Sequence, residues 1–120
     1  MKGFQLTFFT IEGRHHGRES MGHWIMDQAK ALGVKGATLT VGVQGVGRHG
    51  RLHSAHFLEL SDQPIEVTVA VDEAQCDSLM ALLERERANV FYVKTPVEFG
   101  VVGALPERRP ADRSRPTQGD

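Results

Sequence analysis

The chain carries one cysteine, Cys76, one tryptophan and one tyrosine among its 120 residues. A single thiol excludes an intrachain disulfide and any cysteine-built zinc site, and it fits a reducing compartment. No apolar run approaches the roughly 20 residues that cross a bilayer. The opening MKGFQLTFFTIEGRHH has no small-residue cleavage site and reads as a strand rather than a signal peptide. Charge of one sign is lacking too: 14 Lys and Arg against 15 Asp and Glu leave a net charge of −1. A dedicated nucleic-acid binder carries a basic excess, so nucleic acid is not an expected partner. What is present, 40% hydrophobic and 24% charged residues, is the composition of a soluble globular domain, expected in the cytoplasm.

Periodicity gives the elements. Gly3 to Ile11 sets Phe4, Leu6 and Phe8 against Gln5, Thr7 and Phe9, a half-buried strand. Glu12 to Ser20 is polar and reads as a loop, with Ser20 as the N-cap of a helix whose apolar face is Met21, Trp24, Ile25, Ala29 and Leu32. Gly33 stands where a helix C-terminal glycine belongs. Ala37 to Val43 is a second strand. His56 to Leu60 and Ile65 to Val71 are extended pieces separated by a Ser61–Pro64 turn, best joined as a hairpin, with Ile65, Val67, Val69 and Val71 facing the core. Asp72 and Gln75 have capping-box spacing, opening a helix with the stripe Cys76, Leu79, Met80 and Leu83. Phe91 to Thr95 is the last core strand, and Val97 to Gly103 is expected to add a short further one. From Ala104 the sequence holds three of the five prolines, many charges and few large apolar side chains. Residues 104–120 are expected to form a disordered tail on a domain spanning 1–103.

Strand, helix, strand, strand, helix, strand is the ferredoxin-like βαββαβ plan, an α+β fold with two helices on one face of an antiparallel sheet and an extra short hairpin or strand. The uncovered face would carry Gln5, Thr7, Phe9, Thr38 and Thr40. Such a half-apolar face favours a homo-oligomer.

The stretch richest in chemistry is VGVQGVGRHGRLHSAHFLEL, Val41 to Leu60. Gly45, Gly47 and Gly50 interleave with Arg48, His49, Arg51 and His53. Glycines let successive N–H groups form an anion-binding nest, and guanidinium groups suit phosphate. The same pattern also serves a long hairpin loop whose glycines only turn the chain. It is not a dinucleotide fingerprint, because a strand rather than a helix follows. Arg14, His15, His16 and Arg18 form a second basic patch. No HExxH motif is present, adjacent His15 and His16 do not readily converge, and His53 and His56 fall on opposite faces of a strand, so no metal site is assigned; the six histidines either line an anion cleft or sit in water. No serine lies in a nucleophile elbow, and Cys76 falls on a buried helical stripe. Enzymatic activity is not expected.

Three segments together carry a resemblance: GFQLTFFT, LGVKGATLTVGVQGVGRHGRLHSAHFLELSDQPIEVTVAV and FYVKTPVEFG. They are similar to the PII-like family known as domain of unknown function 190, and GVQGVGRHG more distantly resembles the stretch leading into the signalling loop of nitrogen-regulatory PII proteins. The resemblance implies a homotrimer with ligand clefts between subunits, adenine nucleotides as ligands, and a loop that docks on transporters or enzymes. It places Gly45, Gly47 and Arg48 at the cleft, with His49, Gly50 and Arg51 following in a loop shorter than that of PII proteins and without their modified tyrosine. The glycine- and lysine-bearing phosphate loop of PII proteins corresponds to ERERANV, Glu84 to Val90, which has no glycine. That favours AMP or ADP over ATP, with Arg85, Arg87 and Lys94 as replacement charges. The expected ligand-binding set is therefore Gly45, Gly47, Arg48, His49, Gly50, Arg51, Arg14, His15, His16 and Lys94. The expected function is ligand sensing and signalling. The alternatives are a histidine-based metal-binding protein or small enzyme, and an assembly module without a small ligand.

Overall fold

In the computed structural model, which describes residues 1–46, 52–54, 63–103 and 105–106, the opening alternation folds into strand β1 (Lys2–Ile11). The polar segment after it is a small hairpin, β2 (His15–His16) and β3 (Glu19–Ser20). Gly17 turns it with φ +64°, in the left-handed region where glycine is least strained. Helix α1 (Met21–Ala31) follows. Then come β4 (Gly36–Val41), the short pair β5 (Gln44–Val46) and β6 (Leu52–Ser54), strand β7 (Pro64–Asp72), helix α2 (Glu73–Arg85) and β8 (Phe91–Glu98).

The four long strands form one sheet in the order β4-β7-β1-β8, with every neighbouring pair antiparallel. Register fixes the faces. Ala37, Val69, Leu6 and Lys94 lie in one row, and Leu39, Val67, Phe8 and Tyr92 in another. Both rows face the helices, where Leu6, Phe8, Val67 and Val69 are wholly buried against Ile25, Ala29, Cys76 and Leu79. The opposite face carries the rows Thr38, Thr68, Thr7, Val93 and Thr40, Glu66, Phe9, Phe91. There Phe9 and Phe91 make a tilted aromatic pair, ring centroids 5.7 Å apart. Half of each Phe91 and Val93 surface stays open. The architecture is ferredoxin-like, with two helices on one face, as the sequence pattern implies.

The helix signals read from sequence divide. At α2 the capping box is present: the Gln75 N–H donates to Asp72 Oδ1 at 2.7 Å, and the Asp72 N–H donates to Gln75 Oε1 at 3.0 Å. Ser20 does occupy the N-cap position of α1, yet its side chain caps no backbone amide. Its hydroxyl instead lies 2.7 Å from His23 Nδ1. Three boundaries also differ. The Glu12–Ser20 loop contains the β2–β3 hairpin, held by its tight Gly17 turn. Strand β4 ends at Val41 rather than Val43, because the Gly42 N–H makes the last rung to Pro64 O at 2.8 Å. No separate strand forms over 97–103: Val97 and Glu98 belong to β8, the Phe99 N–H bonds to Met1 O at 2.8 Å, and 99–103 continue without strand pairing. The expected strand His56–Leu60 lies outside the described residues, as do the Ser61–Asp62 part of the turn and 107–120 of the expected tail.

Candidate functional site

Antiparallel registers bring three connections to one end of the sheet. Val41 of β4 and Thr10 of β1 both oppose Ile65 of β7, while Phe9 of β1 opposes Phe91 of β8. The ends of β1 and β4 and the starts of β7 and β8 therefore lie together. The β1–α1 segment, the 42–63 connection and the α2–β8 turn all open there. The Glu12 N–H bonds to Gln63 O across this end at 2.9 Å.

The α2–β8 turn, residues 86–90, is the part of ERERANV that leaves the helix. Both helices end in a Schellman motif, in which two amides fold back on the last carbonyls. At α1 the Gly33 N–H reaches Lys30 O at 3.0 Å and the Val34 N–H reaches Ala29 O at 3.1 Å, with Gly33 at φ +83°. At α2 the Arg87 N–H reaches Glu84 O and the Ala88 N–H reaches Leu83 O, both at 3.0 Å. Here the left-handed position is held by Arg87 at φ +52°, and Asn89 follows at φ +51°. An asparagine tolerates this region, whereas an arginine there is strained by about 1–2 kcal/mol. The turn thus takes glycine's conformation without a glycine.

Arg14 holds that turn in place. Its guanidinium donates from Nη1 to Asn89 O at 2.7 Å and from Nη2 to Ala88 O at 2.8 Å. Arg14 O in turn accepts from the Met21 N–H at 2.8 Å. One residue thereby ties the end of β1, the start of α1 and the α2–β8 turn. His15 Nδ1 lies 2.9 Å from Gly13 O. His16 stacks flat on Trp24, ring centroids 3.7 Å apart and planes at 14°, and its Nε2 lies 3.3 Å from Glu86 Oε1. Asp27 of α1 is the main influence on the Glu19 carboxyl of β3. Hydrogen bonding with Asp27 first, then desolvation and the Asp27 charge, hold the Glu19 carboxyl above the ordinary glutamate range, against the opposing pull of His23 and His16.

The expected set is thus only partly brought together. Arg14 and His16 reach the α2–β8 turn, at Ala88, Asn89 and Glu86, whereas His15 turns back on Gly13 O. Lys94 is elsewhere: it points to the helix side, its Nζ 4.2 Å over the Phe4 ring and close enough to Cys76 to pull that thiol down slightly, although burial dominates and pushes the thiol up. Gly45 lies on β5, opposite His53 of β6. Gly47, Arg48, His49, Gly50 and Arg51 lie outside the described residues. Sequence reasoning did not single out Glu86, Trp24, Glu19 or Asp27. Asn89 was the one available signal for the turn, being the residue after glycine that best accepts positive φ. Among the described residues no three His, Cys, Asp or Glu side chains converge as a metal-ligand group, and no helix is long and apolar enough to cross a membrane. A groove of about 440 Å³ opens at the other end of the sheet, lined by Lys2, Phe4, Glu73, Pro96 and Glu98, with mixed charge and none of the expected residues.

Known structures repeat this fold. CPII, a nitrogen regulatory PII-like protein from Thiomonas intermedia K12 solved with ADP, AMP and bicarbonate, is 24% identical and superposes with a TM-score of 0.56 over 81% of this chain and 89% of that one. Its complex with ADP and bicarbonate gives 24% identity and a TM-score of 0.55 over 81% and 89%. A protein from Thermus thermophilus described as PII-like and signalling is 16% identical, with a TM-score of 0.56 over 80% and 85%. Among curated proteins none matches the chain in sequence. Residues 3–99 match the family DUF190, described as "Uncharacterized ACR", and the chain belongs to that family, whose member here has a PII-like fold.

Proposed function

We propose that this protein is a cytoplasmic, non-enzymatic PII-like sensor that binds AMP or ADP in clefts between the subunits of a homotrimer. The observation that carries the reading is the separation of its two basic regions. The glycine-bearing connection hangs from β4, whereas the Arg14-clamped turn with Arg87 precedes β8, at the same end of the sheet but on opposite edges. Three strand spacings separate those edges, about 14 Å. Within one chain the two regions therefore leave the sheet from opposite edges rather than side by side. A neighbouring subunit that brings its 45–51 segment against the turn completes an anion site. The open sheet face, with Phe9, Phe91 and Val93, offers apolar surface for that association. Adenine nucleotides are the ligands of choice because the CPII structures hold ADP and AMP.

In this reading Arg87 and Arg48 meet the phosphates, Gly45, Gly47 and Gly50 let the backbone approach, and Arg14, His15 and His16 shape the turn. His49 and Arg51 add charge beside them. Lys94 lies on the helix side, its Nζ over the Phe4 ring. Ligand occupancy orders the 45–51 segment, and the partner, a membrane transporter or an enzyme, reads that order, a common switching device. A turn without glycine or lysine offers no extra grip for a third phosphate, so ATP binds more weakly than ADP. A thermal-shift screen of the full chain against AMP, ADP, ATP, cyclic nucleotides, bicarbonate and divalent metals tests this. Ligand at a hundred times its dissociation constant adds about 2.7 kcal/mol. A saturable shift with AMP or ADP supports the sensor; a shift with zinc or nickel alone overturns it.

A further inference from the structure

We propose that the segment after β8 is an exchanged arm, which seats Val101, Val102 and Leu105 in a groove of a second copy of this chain. The arm has large apolar side chains and no place for them in its own chain. Val101 is 79% exposed, Leu105 is 82% exposed and Val102 is wholly exposed. The last backbone rung is at Phe99, whose N–H bonds to Met1 O at 2.8 Å and whose carbonyl accepts from the Met1 amino group at 2.9 Å. Beyond it, a Cβ built on Gly100 or Gly103 would meet nothing within 4 Å. Gly103 lies at φ +76°, the left-handed region open to glycine, so the arm bends there without strain. Three large apolar side chains held in water so close together mark a surface that another surface covers.

The groove supplies the complement. It opens at the end of the sheet where the arm departs, holds about 440 Å³, and is lined by Lys2, Phe4, Glu73, Pro96, Val97 and Glu98. Phe4, Pro96 and Val97 give it apolar walls, and its volume is that of sites which take whole small molecules, enough for two or three aliphatic side chains. Its rim carries one positive and two negative groups, Lys2 with Glu73 and Glu98. The sequence after Pro106 reads Glu107, Arg108, Arg109, one negative and two positive, which is the opposite pattern. The rest of the chain cannot cover the arm, because 107–120 holds no large apolar residue. Nor does the arm fill its own groove: Val97 and Glu98 line that groove, while Val101 and Val102, a few positions on, stand in the open. A second copy offers both missing parts, a groove for the arm and an arm for the groove. The contact is heterologous, each copy giving one arm and receiving one, and it closes into a ring when the rotation between copies allows. It needs no nucleotide and does not rest on the function proposed above.

Cross-linking of the full chain tests it. Glu73→Cys and Val102→Cys are placed in one chain; both positions are exposed, and the native Cys76 is wholly buried. Mild oxidation gives covalent dimers and larger species on a non-reducing gel, because the arm thiol of one copy meets the groove thiol of the next. A control pair, Glu84→Cys with Val102→Cys, puts the helix thiol at the far end of α2 and gives at least about tenfold less product, since a disulfide forms only between close Cα atoms. In parallel, Val101→Asp with Val102→Asp changes only side chains that a single copy leaves in solvent, so the fold of the chain is kept. Sedimentation equilibrium then reads an association constant at least about tenfold weaker than native, because a carboxylate is costly to bury in an apolar groove. A native chain that sediments as a monomer, or a weakening of less than about tenfold, overturns the exchange. So does an oxidised product that is a cross-linked single chain, or an equal yield from the two cysteine pairs.

Discussion

Replacing Arg87 by glycine makes the protein more stable. Arg87 occupies the left-handed position of a Schellman motif at φ +52°, at a cost of about 1–2 kcal/mol for a residue with a Cβ. Glycine removes that strain, while its greater freedom in the unfolded chain takes back about 0.5–1 kcal/mol. The net gain is about 0.5–1 kcal/mol, or roughly 2–4 °C in Tm for a chain of this size. The same motif at α1 supplies the reciprocal experiment. A Cβ at Gly33 would meet nothing nearer than Gln75 Nε2 at 3.9 Å, so no clash confuses the result. With φ at +83°, Gly33→Ala costs about 1 kcal/mol from the backbone alone. Urea denaturation at one fixed protein concentration reads both variants, because association shifts apparent stability. Destabilisation by Arg87→Gly refutes the strain argument. If Arg87→Gly is stabilising but binds nucleotide less well, the arginine is retained for its charge at the expense of stability, as is common at functional sites.

Other consequences follow from the same geometry. Arg14→Ala removes two charge-assisted hydrogen bonds and leaves the part-buried Ala88 carbonyl without its donor, for a loss of about 2–3 kcal/mol in urea denaturation. Arg14→Lys restores only part of it, because an ammonium cannot span both carbonyls as the fork does; full recovery argues that charge alone matters. Cys76 is wholly buried and burial raises its thiol, with Lys94 opposing. Native protein therefore reacts with a thiol reagent only through opening, and fast reaction at low denaturant contradicts the packing. The Glu19 carboxyl is held above its ordinary range chiefly by the hydrogen bond to Asp27. Its contribution to stability is full below the ordinary glutamate value and is lost as pH rises through the raised one. Asp27→Asn removes that pH dependence, and a variant curve parallel to the native one contradicts the assignment.

Elements whose identity rests on local rules were legible in the sequence. The period-two run Ile65 to Val71 is β7, buried at alternate positions, and Asp72 with Gln75 caps α2. Gly33 ends α1 as its chemistry requires. The open-face rows followed from alternation alone. What escaped depends on partners distant in sequence or on backbone states that side-chain type does not reveal. Two-residue strands have no periodicity, so β2 and β3 read as loop. The arginine of ERERANV gives no sign of left-handed backbone. Neither the seat of His16 between Trp24 and Glu86 nor the grip of Arg14 on carbonyls 74 and 75 residues away can be read from spacing. The face that Lys94 shares could not be read from its strand alone; the register with Leu6 and Val69 places it on the helix side.

The claim that the ligand site is built from two subunits is tested most directly by complementation. Arg48→Ala and Arg87→Ala proteins are each titrated calorimetrically with ADP, then unfolded together, refolded as mixed oligomers and titrated again. Each variant alone binds weakly or not at all. In mixed oligomers the 45–51 segment of an Arg87→Ala subunit meets the turn of an Arg48→Ala subunit at about a quarter of the interfaces, and native affinity returns at that fraction of sites. No recovery in the mixture, or native binding by either variant alone, contradicts a site shared between glycine loop and turn.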